Sequence, residues 1–174
     1  MVSVDNCKVE IIFDQHDRLS RLLEFIKDAD IVLGCEAWLT HKKIIKALSK
    51  KDLCAIAVQT EKFTKIRSKS YKKRYGELQK WKCEALAKGV QPPIKPVGEE
   101  AVGAKRRYGR VARMHNKFLI FCRLQGGTLT PYAVSTGSMN LTENSMQSDE
   151  NLVVIQNSIV AQRYLEEWKV IWNR

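Results

Sequence analysis

The sequence is short of several things, and each shortage removes a class of protein. No apolar run in the 174 residues approaches the roughly 18 residues of a membrane span. Met1 to Asp5 lack the basic and apolar regions of a secretion signal, so the expected location is cytoplasmic, with no membrane anchor. The five cysteines, Cys7, Cys35, Cys54, Cys83 and Cys122, include no C-x-x-C pair. Most of them sit in strand-like runs, which points to reduced buried thiols rather than zinc or a disulfide framework. Without a secretion signal, the sequon Asn140-Leu141-Thr142 reads as accidental. Acidic residues are scarce in one stretch: residues 62–113 hold 16 Lys/Arg against 4 Asp/Glu. Elsewhere the signs nearly balance, so the whole net charge of +11 belongs to that segment. A solvated basic helix and loop would explain it. A footprint for a polyanion explains it better, and nucleic acid suits it more than an anionic membrane, because apolar anchors are sparse there.

What is present reads as one α/β domain over 1–174. Lys8 to Phe13 is a short strand, and Arg18 to Asp28 has a helical period. Ile31 to Ala37 is a strand buried on both faces. Thr40 is placed to cap a helix over His41 to Lys50, and Leu53 to Val58 is a third strand. This alternation predicts a mixed, largely parallel sheet with helices on both faces. Residues 65 to 88 read as one long basic helix or a helical pair. Pro92, Pro93 and Pro96 then mark a loop, and together they define a basic helical and loop insertion at about 65–113. Lys117 to Arg123 and Tyr132 to Thr136 form a hairpin around Gln125-Gly126-Gly127-Thr128. Leu141 to Met146 is a short helix, Asn151 to Gln156 a strand, and Ile159 to Trp172 a closing helix.

The chemistry concentrates where two of these strands end. His115-x-Lys117 opens one strand and Gly137-Ser138-x-Asn140 closes the next. Ser148-Asp149-Glu150-Asn151 then leads into the apolar run Leu152 to Ile155. A lone His-x-Lys is an ordinary surface pair and Gly-Ser-x-Asn an ordinary turn, but in this order on consecutive strands they form a set. The set resembles the phospholipase D superfamily, closest to its small bacterial endonuclease branch with one catalytic motif per chain. The motif-bearing resemblance covers residues 115 to 172; the insertion has no counterpart in it. The residues support the same chemistry unaided. A neutral His115 can attack phosphorus and form a phosphohistidine. Lys117 and Asn140 can hold the non-bridging oxygens, and Ser138 can donate a further hydrogen bond. Glu150 can hold the far ring nitrogen of His115 and fix its tautomer. No metal and no cofactor is called for. The family motif H-x-K-x-x-x-x-D would put aspartate at position 122, where this chain has Cys122. That position lies about 16 Å beyond Lys117 along an extended strand, so it reads as structural. The hairpin also carries extra residues, Leu124 to Pro131, expected to project from the sheet.

In-line displacement needs an acid opposite the nucleophile, and the chain has no second His-x-Lys. The expected solution is a homodimer in which two His115 residues face each other, one as nucleophile and one as acid. Lys69, Lys72, Lys73, Arg74, Arg106, Arg107, Arg110 and Arg113 are the candidates for substrate contact. Tyr71, Tyr75 and Trp81 can stack on bases, but core packing is the expected use of at least two of them. His16 and His41 read as surface residues. Glu36, inside an apolar strand, either lines the site or bonds to a neighbouring backbone or cation. The leading function is a metal-independent nuclease, with DNA favoured and RNA open. The alternatives are a lipid phosphodiesterase and a nucleic-acid-binding module with a decayed site.

Overall fold

The structure, a computed structural model, describes residues 6–66, 68–79, 93–98 and 113–174. Strand β1 (Lys8–Ile12) is followed by α1 (Gln15–Asp28), β2 (Ile31–Glu36), α2 (Lys42–Leu48) and β3 (Leu53–Gln59). A 3-10 turn (Lys62–Thr64) leads to α3 (Lys69–Tyr75), a second 3-10 turn (Gly76–Gln79) and β4 (Ile94–Val97). The remainder is β5 (Lys117–Gln125), β6 (Thr128–Gly137), α4 (Glu143–Met146), β7 (Leu152–Gln156) and α5 (Ser158–Trp172). Short polar side chains start the helices. Asp14 accepts from the N–H groups of His16 and Asp17, and Asn157 accepts from Ile159 and Val160, each satisfying donors that the first turn leaves free.

The strands form one sheet in the order β1-β7-β6-β5-β2-β3-β4. It is mixed and flanked by helices, as the sequence predicts, but among the described strands parallel pairing is the minority, confined to β2–β3 and β3–β4. The pairs β1–β7, β7–β6, β6–β5 and β5–β2 are antiparallel. The reason is connection length. Gly126 and Gly127 both have positive φ and join β5 to β6 in two residues, which only antiparallel neighbours allow. Residues 124–131 thus extend the hairpin strands, and Leu124 and Leu129 pack against the core.

Side chains alternate along β5 between two apolar layers. Leu119 and Phe121 join the layer under α1, α2 and α3 with Leu22, Ile26, Ile44 and Tyr75. Phe118, Ile120 and Cys122 join the layer under α5 with Leu165, Trp168 and Ile171. Cys122 is fully buried and paired in register with Ile31 and Pro131, with burial pushing its thiol pKa up to about 12. It therefore sits in apolar packing, well along the strand from His115.

Three local expectations change. Residues 94–97, read as loop because of Pro96, form β4 instead. A sheet edge tolerates a residue without an N–H, and among the described residues β4 pairs only with β3. His41, not Thr40, occupies the N-cap of α2, without a side-chain cap bond. His41 is also buried rather than on the surface: its backbone N–H donates to Leu141 O at 2.9 Å, and its Nε2 lies 3.2 Å from Glu143. Tyr71 and Tyr75 are core residues whose hydroxyls donate to Ile94 O and Leu39 O. Trp81, Arg106, Arg107 and Arg110 lie outside the described residues, as do 80–92 and 99–112 generally.

Candidate active site

The carboxyl end of β2 and the head of β5 build the centre of the site. Met114 N–H donates to the buried Gln59 Oε1 at 2.7 Å, and Ala37 N–H donates to Asn116 O at 3.0 Å. These bonds fix the backbone on both sides of His115. His115 and Lys117 are two residues apart in extended chain, so both project to the same side. Lys117 Nζ lies 3.2 Å from His115 Nδ1, 3.3 Å from Nε2 and 3.2 Å from the His115 carbonyl oxygen. An ammonium can donate only to an unprotonated ring nitrogen, so the contact suits a neutral imidazole. Partial enclosure, then the Lys117 and Arg113 charges, hold the His115 pKa below its ordinary value. Trp38 meets the His115 ring edge-on at 5.7 Å and donates its Nε1–H toward Glu61 Oε1 at 3.5 Å.

Glu36 lies in register with Lys117 across β2 and β5 and is buried, with one carboxyl oxygen lacking a hydrogen-bond partner. It thus stands behind Lys117 and not in the open cleft. Burial raises its pKa well above the carboxylate range, against the pull of the Lys117 charge. Burial likewise lowers the Lys117 pKa, while the Glu36 and Glu150 carboxyls oppose that shift.

The end of β6 is held by its neighbour β7. Ser138 N–H donates to Asn151 Oδ1 at 2.8 Å, and Asn151 N–H donates to Ser138 Oγ at 3.1 Å. Gly137 makes this approach possible, because a Cβ there would stand 2.3 Å from Asn151 O. Asn140 N–H donates to Ser145 Oγ at 2.9 Å, and that hydroxyl donates to Glu150 Oε1 at 3.2 Å. Helix α1 supports the approach to Glu150: the buried Arg18 donates to Ser148 O at 2.8 Å and Gln15 to Gln147 O at 3.2 Å.

The sequence-derived residues therefore fall into two linked groups. His115 and Lys117 touch one another. Asn140 and Glu150 share Ser145, while Ser138 is engaged with Asn151. Glu150 reaches Lys117 through its charge, and its hydrogen bond goes to Ser145. An open cleft of about 460 Å³ runs beside His115 and Lys117. Its walls include Asn116, Thr136 and Gly137, with Arg163, Tyr164 and Glu167 from α5. Trp38, Arg163, Tyr164 and Glu167 have no motif around them, and only the packing of α5 across the sheet brings the last three to the cleft. Lys69, Lys72, Lys73 and Arg113 are exposed. Arg74 is half-buried, its guanidinium 4.8 Å above the Phe63 ring. Among the described residues no three His, Cys, Asp or Glu side chains converge as metal ligands, and no helix is long and apolar enough to cross a membrane.

Comparison with known proteins gives this arrangement a setting. The family model described as cardiolipin synthase, PLD-like domain, matches residues 3–172. An uncharacterized protein of Acanthamoeba polyphaga mimivirus is 29% identical over 173 residues, covering 87% of this chain and 61% of that protein. The chain thus spans less than two thirds of that relative's length. Among solved structures, NucT from Helicobacter pylori superposes with a TM-score of 0.64 at 17% identity, covering 97% of each chain. Nuc from Salmonella typhimurium, a phospholipase D family member, gives 0.63 at 19% identity over 97% of this chain and 95% of that one. TrmBL2, an archaeal chromatin protein with a novel mode of DNA binding, gives 0.54 at 12% identity over 96% of this chain and 53% of its own.

Proposed function

This chain belongs to the phospholipase D-like family, and we propose that it is a metal-independent phosphodiesterase that cleaves nucleic acid, DNA in preference, through a phosphohistidine at His115. The observation that carries the proposal is the contact of the His115 imidazole with the Lys117 ammonium beside an open cleft. A depressed His115 pKa keeps the ring neutral near pH 7, the state in which a ring nitrogen can attack.

In the first step a His115 nitrogen forms a bond to phosphorus and the bond from phosphorus to the leaving oxygen breaks. Lys117 and Asn140 meet the charge on the non-bridging oxygens. Ser138, fixed by Asn151, and Glu150, fixed by Ser145, complete the ring of polar groups. The leaving oxygen takes a proton from an acid on the far side of phosphorus. That acid is the imidazolium form of His115 of a second copy, a charged state that the negative phosphate beside it favours, in a homodimer with the cleft on its two-fold axis. The same imidazole then removes a proton from water, which attacks phosphorus and breaks the P–N bond, restoring both histidines. The excess of Lys and Arg in residues 62–113 favours nucleic acid over lipid as substrate, with Lys69, Lys72, Lys73, Arg74 and Arg113 the described candidates for backbone contact. Arg106, Arg107 and Arg110 extend that set by sequence, and the site calls for no cofactor.

The test is an incubation of the protein in excess EDTA with plasmid, single-stranded DNA, RNA and phosphatidylcholine. Nucleic acid should be cut, and His115→Ala should abolish cutting. Turnover of lipid alone would refute the substrate, binding without turnover would indicate a decayed site, and a requirement for added magnesium would refute the mechanism. Light scattering on the active species tests the shared site; an active monomer would overturn it.

A further inference from the structure

A second depression, of about 590 Å³, lies between α2 and α3. It belongs to neither half of the motif. Lys42 and Lys46, one helical turn apart on α2, form one wall with Thr40, and Ile45 also lines it. Ser70, Lys73, Arg74 and Glu77, at helical spacings on α3 and the turn after it, form the other. Four cations thus face a groove containing one carboxylate. Among the described residues none of the four has a carboxylate within ion-pair distance, and Arg74 Nε is enclosed without a hydrogen-bond partner. Unpaired cations gathered in a concavity repel one another, and a polyanion relieves that repulsion.

The groove is fixed rigidly to the site. On its opposite face α3 buries Tyr71 and Tyr75, whose hydroxyls donate to Ile94 O at 2.9 Å and Leu39 O at 2.7 Å. Thr40, at the groove wall, donates its N–H to Leu141 O at 2.8 Å, and Leu141 directly follows Asn140. Lys42 and Lys46 lie outside the basic segment of the sequence, so the groove exists only once β2 and α2 carry them to α3.

We propose that the groove between α2 and α3 holds the phosphodiester backbone of one nucleic-acid strand beyond the scissile phosphate. It deepens the reading of the site as a nuclease, and rests on that reading for its choice of substrate. Phosphate contact of this kind positions a strand without reading its bases, and each neutralised phosphate releases counterions, with a slope of about 0.7 in log K against log salt for a single strand.

The test uses the full chain carrying His115→Ala, so that the probe survives. Binding of a fluorescein-labelled single-stranded 30-mer is followed by anisotropy across a salt series. Adding Lys42→Ala, Lys46→Ala and Lys73→Ala together should weaken binding and reduce the salt slope by about 2, roughly 0.7 for each lost contact. The corresponding triple Lys→Arg protein should retain the slope, which separates lost charge from lost folding. Unchanged affinity and slope in the alanine protein would overturn the groove. So would loss confined to vesicles of phosphatidylserine and phosphatidylcholine, with the oligonucleotide unaffected. Cleavage by the unmodified chain in EDTA is scored separately. Its absence refutes the nuclease reading, whereas the binding series judges the groove in either case.

Discussion

Gly137→Ala should damage both stability and activity, and the structure says by how much. The new Cβ would stand 2.3 Å from Asn151 O, 3.1 Å from its carbonyl carbon and 3.3 Å from Oδ1. A comfortable carbon-to-oxygen approach is about 3.3 Å, so the Asn151 backbone must retreat by about 1 Å. It cannot do so freely, because β6 and β7 pair there, Gly137 with Leu152. Overpacking of this kind costs about 1–3 kcal/mol, and holding alanine at a φ of +150° costs about 1–3 more. In a chain of this size each kcal/mol moves Tm by about 2–4 °C, so the midpoint should fall by roughly 5–20 °C in a calorimetric or circular dichroism melt. The retreat also breaks the double hydrogen bond between Ser138 and Asn151, and a 1 Å misplacement at a reacting centre costs about 100-fold in rate. Gly34→Ala is the control. Its Cβ would meet Phe118 O at 2.4 Å and Leu119 Cδ2 at 2.8 Å, a similar clash within β2 and β5 that leaves the Ser138 clamp alone. Cleavage rates are compared at a temperature where both variants are folded. A Gly137→Ala protein that melts within about 2 °C of the parent, or equal rate losses in the two variants, would refute the reasoning.

Other consequences can be checked more briefly. The His115 imidazole, followed by NMR, should titrate below the ordinary histidine value of 6.5 and shift upward in Arg113→Gln, since enclosure and then the Lys117 and Arg113 charges hold it down. Because one His115 attacks as the neutral ring while its counterpart donates as the imidazolium, cleavage should peak around that lowered midpoint and fall on either side; a midpoint at or above 6.5 contradicts the charge argument. Glu10 meets Arg21 through two 2.7 Å hydrogen bonds, and this contact chiefly lowers its pKa from 4.5 to about 2. Its contribution is therefore present above the unfolded value and is lost as pH falls from 4.5 toward 2: Glu10→Gln should cost about 1 kcal/mol at pH 7 and nothing at pH 2, by chemical denaturation. Cys122→Ala should cost about 1 kcal/mol, an ordinary core truncation, with cleavage unchanged; a tenfold loss of rate would show that position 122 acts on the site.

Much of the architecture was legible because local pattern and tertiary environment agree. Ile31 to Glu36 and Leu53 to Gln59 are apolar runs and are strands buried along their whole length. The α5 pattern of Leu165, Trp168 and Ile171 is the face that packs. Where pattern and environment part, the sequence misleads. Pro96 speaks against a strand, yet an edge position asks nothing of its missing N–H. His41 has a polar side chain at the start of a helix, but a bond from its backbone to Leu141 pulls it under the chain. Parallel pairing was over-predicted because the βαβ signal of residues 31–59 covers only β2 and β3 of the seven described strands.

The site divides in the same way. His115, Lys117, Ser138 and Asn140 are close in sequence to the ends of β5 and β6, and the register of Phe118 with Thr136 sets those two strand ends side by side. Glu36 was visible as a charge in an apolar run, but its position behind Lys117 depends on register. Because side chains alternate along a strand, a slip of one residue between β2 and β5 would turn Glu36 away from Lys117, and no local signal sets that register. The walls contributed by Arg163, Tyr164 and Glu167 depend on how α5 crosses the sheet, and the α2–α3 groove on how two seven-residue helices dock. The motif residues, proposed to carry the bond-making chemistry, lie close together in sequence and are therefore readable locally. The side chains that tune their charge, and those proposed to hold the rest of a long substrate, come from distant parts of the chain, and only the assembled sheet brings them together.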